Sequence, residues 1–217
     1  MTQLNIVCFG DSLTLGYQSP TSCTPFVENI PYGDYVQEWL GTRGQVVIHG
    51  VCGETTQDMR VRFQRDVLNL DPHVAIILGG TNDLGCGISP DAIMDNLRVF
   101  FERAQAQNIL PVAVTVPSLR DDSVQDHDEV SQPGKGVTAT VTQAIALRVR
   151  LNQSIKNLGH ARQFPVVDWF TATCEPHAQA LASDFSNDGL HLNTAGYRKL
   201  AELVWKQVLE DRLSTQK

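Results

Sequence analysis

Five short apolar runs punctuate the chain: LNIVCF (4–9), QVVIH (45–49), HVAIIL (73–78), ILPVAVTV (109–116) and FPVVDW (164–169). They are rich in β-branched residues, and their near-continuous apolarity predicts strands buried on both faces of a parallel sheet. Between them, apolar residues recur at helical spacing. Met59, Phe63, Val67 and Leu70 form one set; Ile93, Leu97, Phe100, Phe101 and Ala104 form another, entered by Ser89 as N-cap and Pro90 at the first helical position. Val137, Val141 and Ile145 continue into Leu151, Ile155 and Leu158, and Tyr197, Leu200, Ala201, Val204 and Val208 close the series. These stripes read as core faces, not cofactor contacts. The alternation of strand and helix predicts one α/β domain over residues 1–217, a doubly wound sheet with helices on both sides. Two irregular stretches, 18–31 and 117–136, are long enough to serve as lids or binding loops, although the acidic run in the second reads as solvated surface.

With 42% hydrophobic residues, 217 positions suffice for one substantial core. A net charge of −7 lacks the basic stripe of a nucleic-acid partner. No apolar run reaches 18 residues, so no stable membrane insertion is expected. The start, MTQLNIVCFG, has neither the basic region nor the apolar length of a signal peptide. The expectation is a cytoplasmic protein, or a secreted one whose signal has been removed. Cys8, Cys23, Cys52, Cys86 and Cys174 show no CxxC spacing, which predicts reduced thiols and no zinc site. Pairings of Cys23 with Cys86 or Cys174 stay open, as does the oligomeric state.

Ligands of open α/β sheets bind at the carboxyl ends of the strands. After the first strand comes GDSLTLG, after the second GVCGETT, after the third GGTNDLG, and SNDGLHLNTAGY leads into the last helix. Ser12 is the hydroxyl placed where a sharp strand-to-helix turn can expose it, but serine attacks only when a base takes its proton. His191 is the best candidate, because Asp188 lies three residues before it and one turn can hold that carboxylate against imidazole Nδ1. His49 and His73 fall at strand positions and read as structural; His127, His160 and His177 fall in loop or surface settings. An oxyanion needs donors. The Ser12 N–H, the Gly53 N–H and the Asn82 side-chain amide are the candidates. Taken singly, Asn82-Asp83 and Asp11-Ser12 are ordinary turn dipeptides.

GDSLTLGY, the glycine of GVCGETT, GTND and DGLHLN resemble, in order and spacing, the four blocks of the SGNH hydrolases, also called GDSL esterases and lipases. The likeness covers residues 5 to about 200. It implies a flavodoxin-like three-layer α/β/α sandwich and carboxylic ester hydrolysis without metal or cofactor. It further implies Ser12 as nucleophile, Gly53 and Asn82 completing the oxyanion hole, His191 with Asp188 as the rest of a triad, and Asp11 ordering the nucleophile loop. Cys52 departs from the family pattern, either as a small filler or as a reactive thiol. Small-molecule esters are the expected substrates, with carbohydrate O-acetyl esters, lysophospholipids or thioesters as alternatives. A non-catalytic flavodoxin-like binding module is the rival class, but neither a P-loop nor a GxGxxG follows the first strand.

Overall fold

A computed structural model describes residues 3–121 and 135–214. Five parallel strands form the central sheet: β1 (Leu4–Gly10), β4 (Gly44–Gly50), β5 (Val74–Leu78), β6 (Leu110–Val114) and β7 (Val166–Val167), ordered β4-β1-β5-β6-β7. In chain order of the sheet strands this is 2-1-3-4-5, the flavodoxin-type winding, whose switch point lies beside β1. Two further short strands, β2 (Tyr17–Gln18) and β3 (Glu28–Asn29), pair as a small antiparallel ribbon that begins one residue before the first of the long irregular stretches and ends within it.

Alternation along the central strands builds two cores. Ile6, Cys8, Val74, Ile76 and Leu78 point to one side, against α2 (Tyr32–Leu40) and α8 (Thr194–Val204). Val7, Phe9, Ala75 and Ile77 point to the other, against α3 (Thr56–Asp66), α5 (Pro90–Ala106) and α6 (Lys135–Arg162). Short one-turn helices, α1 (Ser12–Leu15), α4 (Thr81–Gly85) and α7 (Trp169–Thr173), begin within two or three residues of the ends of β1, β5 and β7. The C-terminal helix passes through a π-helical stretch, Trp205–Leu209, into α9 (Glu210–Ser214).

Several boundaries differ from the sequence expectation. The edge strand β4 is only partly buried, and the last strand shrinks to two residues because Asp168 caps α7 by accepting from the Thr171 N–H. The first stripe ends early: α3 stops at Asp66, and Leu70, in a 3₁₀ turn, is exposed. Helix α2 has no counterpart in the apolar sets above, although Tyr32, Val36 and Leu40 are fully buried at i, i+4 and i+8. Most of the second long stretch lies outside the described residues, as does His127.

Candidate active site

The β1–α1 turn is built around Asp11. Its Oδ1 accepts the Leu13 N–H at 2.9 Å, and its backbone carbonyl accepts from Thr14 and Leu15, so it caps the one-turn helix that Ser12 opens. Gly16 closes the turn in the left-handed region at φ 81°. A Cβ there would lie 2.3 Å from the Ile30–Pro31 backbone, so only glycine fits. Ser12 is 5% exposed. Neither its N–H nor its hydroxyl finds a hydrogen-bond partner among the described residues. The Asp11 carboxyl is fully buried with Oδ2 unpartnered. Burial pushes it up to about 7; the Leu13 N–H opposes that rise, and the nearby Asp83 charge adds to it.

The two neighbouring loops are stitched together. Asn82 Nδ2 donates to the Glu54 carbonyl at 2.8 Å, a cross-loop contact in place of the local turn bond its sequence allowed, and its second amide hydrogen stays available. The buried Asp83 carboxylate accepts from the Thr56 N–H and, at 2.6 Å, from the Thr56 hydroxyl, fixing the start of α3 to that of α4. Between these ties, Gly53 adopts φ 78°, open space surrounds its Cβ position, and its N–H has no partner among the described residues. Gly53 thus supplies a left-handed backbone conformation that other residues rarely adopt.

Arg62 is a residue that sequence reasoning missed. Its nearly buried guanidinium donates to Gly10 O at 2.8 Å, His49 O at 3.2 Å, the Glu54 carboxylate at 2.7 Å and Asp66 at 3.1 Å, with Phe9 beneath it at 4.3 Å. One side chain thus ties the ends of β1 and β4 to the loop carrying Gly53. The fork of guanidinium donors suits it to so many acceptors at once. The signal lay in spacing: Arg62 and Asp66 occupy positions i+3 and i+7 from the core residue Met59, where unpaired charges would not be tolerated.

The loop before α8 carries Asp188 and His191. Asp188 Oδ1 accepts the Leu190 and His191 N–H groups at 2.8 and 2.7 Å; Oδ2 meets His191 Nδ1 at 2.8 Å and also accepts from the Ser19 hydroxyl. Desolvation alone would raise this carboxyl, yet the bonds from the His191 ring, Ser19 and the two backbone N–H groups outweigh it and hold it well below the usual carboxylate range. Gly189 N donates to Ser186 Oγ, which in turn donates to His191 O, closing the loop on itself. The Tyr17 ring stands 4.5 Å from the imidazole, centroid to centroid. His191 Nε2 has no partner among the described residues, and no hydrogen bond joins it to Ser12. The two loops share one electrostatic neighbourhood, in which the Asp11 carboxyl feels the His191 charge.

A polar cleft of about 400 Å³ lies beside this loop, lined in part by Ser19, Thr24, Phe26, Glu28, Asn187 and Thr194; Ser12, Gly53 and Asn82 do not line it. The other histidines that can be described are elsewhere: His73 Nδ1 accepts the Asn5 N–H, His49 sits in β4, and His160 and His177 are exposed. All five cysteines are free. The exposed Cys52 thiol is raised by desolvation and by the Asp11 charge, which disfavours a reactive thiolate. Among the described residues no three metal-ligating side chains converge, and no helix is long and apolar enough to cross a membrane.

A sequence model of the GDSL-like lipase/acylhydrolase family matches residues 8–199. The chain is 31% identical over 138 residues to an uncharacterised lipoprotein of Bacillus subtilis, covering 57% of this chain. It spans about half that relative's length, 52%. Among solved structures, a GDSL-like lipase from Bacteroides thetaiotaomicron superposes with a TM-score of 0.73 at 22% identity, over 96% of this chain and 88% of that one. A lipase/acylhydrolase from Enterococcus faecalis gives 0.69 at 24%, over 95% of each. A variant of an acetyl xylan esterase from Geobacillus stearothermophilus gives 0.72 at 18%, over 95% and 94%. At these identities the structural likeness concerns the fold.

Proposed function

We propose that this chain, which belongs to the GDSL-like lipase/acylhydrolase family, hydrolyses small carboxylic esters through a Ser12–His191–Asp188 triad. The observation that carries this is the Asp188–His191 pair: a carboxylate held charged at Nδ1 leaves Nε2 as the proton acceptor. In the first half-reaction Ser12 Oγ bonds to the ester carbonyl carbon while its proton passes to Nε2. The carbonyl electrons move onto oxygen, where the Ser12 N–H, the Gly53 N–H and the free Asn82 amide hydrogen would receive them. The intermediate collapses, the alcohol leaves with the proton from Nε2, and an acyl-enzyme remains. Water then repeats the sequence with His191 as base, freeing the acid and Ser12. No step calls on a metal or cofactor. Asp11 keeps an architectural role in this scheme, capping the turn that presents the nucleophile.

Ester-specific turnover tests the reading: the wild type should hydrolyse p-nitrophenyl acetate, and a folded Ser12→Ala variant should not. Unchanged hydrolysis by that variant would remove Ser12 from the mechanism. A carbohydrate O-acetyl ester is the second substrate reading. It is supported by the polar lining of the neighbouring cleft, which suits hydroxyl groups better than a long acyl chain, and by the shared fold with an acetyl xylan esterase. The lipoprotein name of the Bacillus subtilis relative supports an exported setting alongside the cytoplasmic one.

A further inference from the structure

We infer that Ser19 is a positioning residue for the proposed triad, orienting and tuning the Asp188 carboxylate through its hydroxyl; the inference rests on the reading above. Ser19 Oγ donates a hydrogen bond to Asp188 Oδ2, the same oxygen that faces His191 Nδ1. The carboxylate is therefore gripped from two sides. Two backbone N–H groups hold Oδ1, and the imidazole and the hydroxyl share Oδ2. Rotation about the Asp188 side chain would break bonds at both oxygens.

The segment that carries Ser19 is itself fixed to the same loop and helix by independent contacts. The Tyr197 hydroxyl donates to Tyr17 O at 2.7 Å, the Tyr17 ring packs on the imidazole, and Gln18 Nε2 donates to Thr194 Oγ1 at 3.1 Å. Residues 17, 18 and 19 thus each touch the Asp–His loop or the helix it enters. A charge-assisted bond held this way also draws negative charge away from His191. The other groups in this field are Asp11 from the turn after β1, Tyr17 from β2, Cys52 from the loop after β4, and Tyr197 from α8.

The test compares Ser19→Ala and Ser19→Thr with the wild type on p-nitrophenyl acetate across pH, with melting temperature as the folding control. Threonine keeps the hydroxyl, and Ser19 borders the cleft. Ser19→Ala should lose about tenfold in kcat, the rate equivalent of one hydrogen bond to a charged group, with KM little changed. Its acid limb in kcat/KM should move to higher pH, because the unshared carboxylate favours the protonated imidazole. Ser19→Thr should restore both. An alanine variant with wild-type kcat and an unmoved limb would overturn the inference. So would a folded threonine variant as impaired as alanine. A wild type inert towards esters would instead defeat the hydrolase reading itself, so the two failures are distinguishable.

Discussion

Two carboxylates beside the proposed chemistry live in opposite worlds. Asp11, in the turn after β1, is fully buried with one oxygen unpartnered, and burial pushes it up to about 7. Asp188, in the loop before α8, is about a quarter exposed, yet the His191 ring, the Ser19 hydroxyl and two backbone N–H groups hold it well below the ordinary range. Charge is maintained where donors gather, not where polarity is merely nearby. The contrast extends to the regions around them. The loops after β1, β4 and β5 are locked from within by Arg62, Asp83 and Asn82, as a rigid frame for backbone donors. The Asp–His loop is held by side-chain bonds near the surface, where a proton can come and go. Two environments thus assign two carboxyl groups different work.

The frame is tested most strongly at Asn82. Its amide would meet charge that develops only in the transition state, so Asn82→Ala should lower kcat on the order of 10²–10³-fold with little change in KM. A rise in KM with kcat intact, measured in steady state, would make Asn82 a binding or loop-stitching residue. Asp188→Asn probes the other region, keeping shape while removing charge. The asparagine can present an NH₂ to Nδ1 and so favour the unproductive tautomer. At least about a hundredfold loss in kcat/KM is expected. Activity within about twofold of wild type would reduce Asp188 to a turn residue that organises the helix entry.

Asp11→Asn should act on stability instead, leaving most hydrolysis at neutral pH. The folded wild type keeps the Asp11 proton to about pH 7, whereas an unfolded chain releases it near pH ~4. Between those values the folded state binds more protons, so wild-type stability falls as pH rises, by up to about 4 kcal/mol from this group. Asn carries no such penalty. Urea midpoints of variant and wild type should therefore diverge from pH 4 to pH 7 in the variant's favour; parallel curves would contradict the burial argument. Asp188 has the opposite sign: its stabilisation is present above the ordinary carboxylate value and is lost as the medium becomes more acid.

How far this arrangement could be read from sequence depends on the range of the contact. The strands of the central sheet were legible because apolar runs leave few alternatives, and Ser89 with Pro90 marked the start of α5 correctly. Helix α2 was obscured by Pro31 and Gly33, which read as loop chemistry although Tyr32, Val36 and Leu40 keep helical period. The Asp188–His191 contact was legible because it closes within one turn. Ser19 was not, since 169 residues separate it from Asp188 and nothing local distinguishes it from any loop serine. Arg62 stood between the two cases, betrayed by its helical register but not by its partners.

The central claim is that Ser12 is an activated nucleophile, and covalent labelling with a fluorophosphonate, read by intact mass and peptide mapping, tests it most directly. One adduct per chain is expected, on Ser12, with hydrolysis of p-nitrophenyl acetate lost in step with labelling and no adduct on Ser12→Ala. A folded wild type that hydrolyses the ester but carries no adduct, or carries it on another residue, would contradict Ser12 as the nucleophile.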